Sequence, residues 1–182
     1  MTEQTAHQQT EQQAEQQQTA APGRSWVGPS ATQRLQMLRE ASSVAIVGAS
    51  AKPARASNFV GTYLLSSSNY RVYFINPREK EILGHPVYPS LEDLPEVPDI
   101  VDVFRRNDDL PDVAREAVAI GAKSLWIQLG LWNEEAARIA EEAGLSVAMD
   151  RCLKIEHARF HGGLNLAGFN TGVISSKRQT LA

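Results

Sequence analysis

Two short polar clusters in this chain carry the residue types that phosphate binding needs. The first follows an apolar run ending at Val47 and reads Gly48, Ala49 and Ser50, then Lys52, Pro53, Arg55, Ser57 and Asn58. A glycine lets the backbone turn close to a ligand, while the Ser50 hydroxyl and the N–H groups entering a helix near Ser57 suit phosphate oxygens. Lys52 and Arg55 add positive charge. The further glycines of a dinucleotide fingerprint are missing, and a lone glycine at a strand-to-helix turn is often structural, so this loop by itself does not name its ligand.

The second cluster, Asn76, Pro77 and Arg78, narrows the choice. A site for NAD places Asp or Glu at this point to hold the ribose 2′-hydroxyl, and no carboxylate stands here. A cation suits a ribose phosphate instead, either the 2′-phosphate of NADP or the 3′-phosphate of coenzyme A. The plainer reading is that Asn-Pro makes a tight turn and leaves Arg78 solvated.

Other reactive side chains point less clearly to chemistry. Asp102, Glu134, Glu135, Asp150 and Glu156 read more simply as caps, solvated helix faces or ion-pair partners than as an acid–base pair. His157 and His161 are spaced i, i+4, which on a helix shares one face, but spacing supplies no third metal ligand and packing or surface roles are favoured. His85 sits in a turn-like "GHPV" with no nucleophile beside it. Trp126 and Trp132 read as core and loop packing. Cys152 follows Arg151. If the chain is helical from Leu153, its sulfur lies near a helix N-terminus, where dipole and cation favour thiolate; a small buried residue at a strand end is the plain alternative. No metal and no catalytic residue is expected.

The elements that must position these residues alternate along the chain. Residues 43–48, 70–75, 99–104, 123–129 and 145–150 are short β-branched or aromatic runs, read as strands buried on both faces. Helices are expected over 57–66, 108–120 and 133–143, the second capped by Asn107 or Asp108, the third by Asn133, with Gly121 and Gly144 at their ends. Another helix precedes the first strand, with Ser30 as cap and Leu35 and Leu38 on one face, and one more follows Cys152. Strands joined by crossover helices imply an α/β, Rossmann-like, doubly wound parallel sheet of five strands with helices on both faces, in a single domain. Its ligand belongs beyond the carboxyl ends of the strands, at the topological switch point.

Length and composition agree with one domain: 182 residues with 42% hydrophobic side chains suffice for one well-buried unit and its tails. Residues 1–24 are Gln, Thr, Glu and Ala with almost nothing to bury, and are expected to be a disordered tail. Glu3, Glu11, Glu15 and Arg24 give that stretch a net −2 and leave −1 of the formal −3 for the rest. So neutral a body has no broad basic face, so no nucleic-acid partner is expected. No apolar run reaches the ~20 residues that span a bilayer, no signal-peptide pattern opens the chain, and one cysteine makes no internal disulfide. The expected compartment is the cytoplasm, with no membrane partner. The domain is placed at 25–162. The segment 163–182, rich in Gly, Asn and Ser, is either a tail or an arm packed on a neighbouring subunit, which would make the protein a homo-oligomer.

The stretches "VAIVGASAKPARASNFV", "VYFINPREKEILGHPVYPSLEDLP", "DIVDVFRR", "AIGAKSLWIQLG" and "EEAGLSVAMDRCLKIEH" together resemble the small, stand-alone CoA-binding domain proteins, the YccU-like family. That family's fold is similar to the N-terminal CoA-binding domain of the succinyl-CoA synthetase α subunit. The resemblance runs in order from about Ser43 to His157. It implies that Gly48, Ala49, Ser50, Lys52, Arg55 and Ser57 form the first phosphate loop and that Asn76, Pro77 and Arg78 form the turn beside the nucleotide. Val103, Phe104 and Arg105 would lie by the adenine and its ribose, and Gln128, Leu129 and Gly130 at the edge of the cleft. Asp150, Arg151 and Cys152 match a loop near the CoA thiol, where Cys152 could form a mixed disulfide with it. The synthetase phosphohistidine belongs to a second domain outside the resemblance, so ligase chemistry is not expected. The function implied is non-catalytic binding of coenzyme A or an acyl-CoA as a small-molecule ligand, for storage, sensing or delivery. An NADP-binding oxidoreductase or cofactor-sensing regulator is the alternative, and a scaffold that binds no nucleotide is a third.

Overall fold

A computed structural model describes residues 24–161. In chain order the elements are α1 (Ala31–Glu40), β1 (Ser43–Val47), α2 (Ala56–Ser67), β2 (Arg71–Ile75), β3 (Glu81–Ile82), β4 (His85–Tyr88), β5 (Ile100–Val103), α3 (Leu110–Ala119), β6 (Ser124–Ile127), α4 (Glu134–Glu142), β7 (Ser146–Ala148) and α5 (Leu153–His161). The tail before Arg24 and the segment 163–182 lie outside the described residues.

Alternation along the strands decides the layers. Val44, Ile46, Ile100, Trp126 and Ala148 pack with Met37 and Leu38 of α1, Val60 and Leu64 of α2 and Leu153 of α5. Ala45, Val47, Val101, Val103, Leu125, Ile127 and Val147 face the other way, onto Val113, Ala114 and Ala117 of α3 and Ala136, Ala137 and Ala140 of α4. Successive side chains on a strand point to opposite faces, so a run that is apolar at every position needs a helical layer on each side. The strand order is β3-β4-β2-β1-β5-β6-β7. β1 pairs in parallel with both β2 and β5, so the chain reverses its direction across the sheet between β1 and β5. That is the switch point of a doubly wound α/β fold.

The expectation of five strands is corrected to seven. The two additions, β3 and β4, form an antiparallel pair around Leu83 and Gly84, both in the left-handed region, and β4 then adds to β2 in parallel. β3, the edge strand, has only two residues, and β4 contains Pro86, which cannot donate to a ladder and lies before Val87 and Tyr88, the residues that pair with β2. His85 therefore lies in a strand and not in a turn, its ring 6.2 Å from that of Phe74.

Helix ends follow local chemistry. Ser30 caps α1 in a reciprocal arrangement with Gln33, and Asn133 caps α4 by accepting from the Ala136 N–H. The expected cap of α3 is corrected: a 3₁₀ turn, Asn107–Asp109, precedes that helix, and Asp109 at its start makes no side-chain cap bond. Asn107 is engaged elsewhere, its side-chain Oδ1 accepting from the Trp132 N–H and its backbone carbonyl from Asn133 Nδ2. Arg24, set with the tail in the sequence, is anchored instead. Its guanidinium pairs with Asp150 at 2.9 Å and lies 4.1 Å from the Trp132 ring centre.

Candidate functional site

Because β2, β1, β5, β6 and β7 run in parallel, their carboxyl ends share one edge, and the polar residues singled out in the sequence follow those ends. Gly48 turns out of β1 with φ +81°, and its N–H and that of Ala49 both donate to the Ile75 carbonyl at the end of β2. Asn76 locks the two turns together: Nδ2 donates to the Ala49 carbonyl at 2.7 Å, and Oδ1 accepts from the Arg78 N–H at 2.9 Å. Asn58, in the first turn of α2, donates to the Ser50 carbonyl at 3.0 Å, and the Ser50 hydroxyl accepts from the Lys52 N–H. The loop from Gly48 to Asn58 is thus held at both ends by side-chain amides.

Around that loop stand Lys52, Arg55 and Arg78, all exposed. Among the described residues none of the three has a carboxylate partner, whereas Arg24, Arg34, Arg71, Arg105, Arg106, Arg115, Arg138 and Arg159 are all ion-paired. Pro77 is exposed beside Arg78, and Ser57 is buried at the start of α2. Val103 is buried against α3 and α4, so only its backbone reaches the edge, where its carbonyl accepts from the Gln128 N–H. Phe104 is half-buried, and Arg105 is exposed and paired with Asp109.

At the far side of the edge, Leu129 and Gly130 are exposed, and Gly130 donates to Asp150. Arg151 is half-buried, its pKa lowered by burial and by the neighbouring Arg34, and its carbonyl accepts from the buried Trp126 indole. Cys152 leads into α5, its carbonyl accepting from the Glu156 N–H. Of the two readings of Cys152, its surroundings favour the plain one, a thiol rather than a thiolate. Burial pushes the Cys152 thiol up, Asp102 adds to the rise, and the N–H groups of Ile155 and Lys154 at the helix start offset this only in part. The first turns of α2 and α5 meet through Lys154, whose ammonium stands 3.8 Å from the Phe59 ring centre.

Of the carboxylates, Glu134 accepts from Ser25, Glu135 pairs with Arg115, Asp150 with Arg24, and Glu156 with Arg34 and Arg159. Asp102 corrects the reading that all of them are of this kind. It is fully buried on β5, has no cation partner, accepts from Gln128 Nε2 at 2.8 Å through Oδ1, and leaves Oδ2 unpartnered among the described residues. Burial pushes its pKa up to about 8, against the smaller opposing effect of Gln128. Its signal in the sequence is an acid in the middle of the apolar run "DIVDVF". His157 is buried, with Nδ1 3.0 Å from the Tyr63 hydroxyl and its ring edge-on to Tyr63 and Tyr70.

Residues 42–158 match the model of a family described as "CoA binding domain". The chain is 38% identical over 130 residues to the uncharacterized protein YneT of Bacillus subtilis, covering 71% of this chain and 96% of that one. It is 28% identical over 120 residues to an ADP-forming acetate–CoA ligase of Archaeoglobus fulgidus, of which it spans only 17%. Among solved structures, a hypothetical protein of Pyrococcus horikoshii superposes with a TM-score of 0.72 at 36% identity, covering 79% of this chain and all of that one (100%). An acetyl-coenzyme A synthetase of Ca. Korarchaeum cryptofilum in complex with phosphate and ADP gives a TM-score of 0.59 at 27% identity, over 64% of this chain and 27% of that one.

Proposed function

This chain belongs to the CoA-binding domain family, and on that premise we propose that it binds coenzyme A or an acyl-CoA without transforming it, for storage, sensing or delivery. The observation that carries the reading is the set of three exposed cations without carboxylate partners, Lys52, Arg55 and Arg78, around a glycine turn at the switch point. Among the described residues Arg39 and Lys80 are likewise exposed without a carboxylate partner, so it is the placing of Lys52, Arg55 and Arg78 around the switch-point turn that suits them to a ligand with several phosphate groups. Gly48 and Ala49, their N–H groups held by the Ile75 carbonyl, would shape the turn, and Ser50 and Ser57 would hold the diphosphate with hydroxyl and backbone donors, as helix starts do. Arg78, with Asn76 and Pro77, would meet the 3′-phosphate. Phe104 and Arg105 would flank the adenosine, and Gln128, Gly130, Arg151 and Cys152 the pantetheine arm.

The non-catalytic part of the reading rests on the acids. Of the five acids singled out in the sequence, Glu134, Glu135, Asp150 and Glu156 each serve an ion pair or a hydrogen bond, and Asp102, bonded to Gln128, is too deeply buried to reach a substrate. Among the described residues no helix is long and apolar enough to cross a membrane.

A thermal-shift series tests the proposal. A ligand that binds only the folded state raises the midpoint by mass action. CoA should raise it and NAD should not. A larger shift with NADP than with CoA would favour the cofactor-sensing alternative, and no shift with any nucleotide would favour the scaffold.

A further inference from the structure

We propose that Asp102 is a positioning residue for the ligand's pantetheine arm, tying down the Gln128 side-chain amide by its N–H so that the Gln128 carbonyl is presented to an amide N–H of that arm. The inference rests on the CoA reading above and adds a residue and a contact to it.

Asp102 occupies a place where an apolar residue would pack without loss. It lies in register with Ile46 on one side and Trp126 on the other, both fully buried, and no cation offsets its burial. A buried carboxyl in such a place costs stability unless it is well bonded, so stability does not account for it. Its one hydrogen bond goes to Gln128. Gln128 Nε2 donates to Oδ1, which accepts whether the carboxyl is ionised or carries its proton on Oδ2, so the amide turns its NH₂ inward and its carbonyl away. Among the described residues Gln128 Oε1 has no partner, although the backbone of Gln128 is fixed on both sides by the Val103 carbonyl and the Leu131 N–H. The result is an acceptor held in one orientation at the carboxyl end of β6, backed by a group that no ligand can touch. A buried partner behind a contact residue acts by orienting it.

Position selects the part of the ligand. The cations meant for phosphate stand after β1 and β2, and Gln128 stands after β6, three strands from β2 in the sheet order. With strands about 4.8 Å apart, that is a span of roughly 14 Å across the sheet edge. A nucleotide held at the phosphate loops covers it by extending a long arm, and the pantetheine arm carries two secondary amides whose N–H groups need acceptors once out of water.

Calorimetry on the full chain with two probes, CoA and adenosine 3′,5′-bisphosphate, tests this in Asp102→Leu, Asp102→Asn, Gln128→Leu and the Leu/Leu double variant. Asp102→Leu and Gln128→Leu should each weaken CoA about tenfold, the effect of one oriented hydrogen bond. The double variant should lose no more than either single one, and Asp102→Asn, which keeps an acceptor for the amide, should stay within about twofold of the wild type. The bisphosphate, which lacks the arm, should bind all variants alike. Equal losses for both probes, or CoA binding unchanged in Asp102→Leu and Gln128→Leu, would overturn the inference; Gln128→Leu carries the same comparison should Asp102→Leu not fold. Wild-type protein that binds neither probe would instead overturn the CoA reading itself.

Discussion

A Cβ added to Gly48 would lie 2.8 Å from the Phe104 carbonyl oxygen and 3.1 Å from the Arg105 side chain, so the turns leaving β1 and β5 touch at the switch point. Gly48 also has φ +81°, which an L side chain adopts only with strain. Gly48→Ala should therefore destabilise the fold by about 1–3 kcal/mol and weaken CoA, because the clash is with backbone that cannot step aside. Urea unfolding reads the first effect and calorimetry the second. Unchanged stability would mean that the two turns can part freely.

Arg78 is exposed, has no carboxylate partner, and follows a turn fixed by the Asn76 side chain. If it meets the 3′-phosphate, Arg78→Ala should weaken CoA by ~1.5–3 kcal/mol and leave dephospho-CoA nearly unchanged. Calorimetry giving the same loss for both ligands would move the assignment to Arg55 or Lys52.

Asp102 gives the folded chain a pH dependence of known sign. Its folded pKa is raised to about 8, so between about pH 4 and pH 8 the folded state holds a proton that the unfolded state has released. Its contribution is complete below the unfolded value, falls as pH rises by up to ~1.4 kcal/mol per unit, and levels off above the folded value. Asp99 titrates on the other side: the Lys123 ammonium and the Ser42 N–H and hydroxyl outweigh burial and hold its carboxyl far below the usual range, so its contribution is lost only in acid. Asp102→Asn should therefore flatten the stability profile between pH 5 and pH 8 and gain most over the wild type near pH 8. Parallel profiles from denaturant titrations would show that Asp102 is ionised in the fold.

Cys152 should behave as a thiol rather than a thiolate. Burial and Asp102 raise its pKa despite the helix start beneath it. Its alkylation by iodoacetamide, followed by intact mass, should be slow at pH 7 and accelerate only in alkaline solution. Fast modification at pH 7, abolished by Cys152→Ser, would restore the thiolate reading and with it the mixed disulfide with CoA.

The sequence made the parallel strands legible because β-branched runs such as Val44–Val47 are apolar at every position, and the crossovers then fixed where the loops must gather. The β3–β4 pair was hidden because a two-residue strand and one containing Pro86 carry no periodicity. Lys52, Arg55 and Arg78 were legible as cations, but their lack of carboxylate partners was not, since pairing depends on residues far away in sequence, as in Arg34 with Glu156. At Cys152 a helix start and a preceding arginine are visible locally, whereas the burial that outweighs them comes from the surrounding packing. Asp102 was visible as an acid in an apolar strand, and only the sheet register shows that nothing neutralises it.

The most direct test of the account is calorimetric titration of the wild-type chain with CoA, NADP and NAD under one set of conditions. Saturable binding of CoA tighter than that of either dinucleotide is the predicted result, and binding of NADP in preference to CoA, or of none of the three, would contradict it.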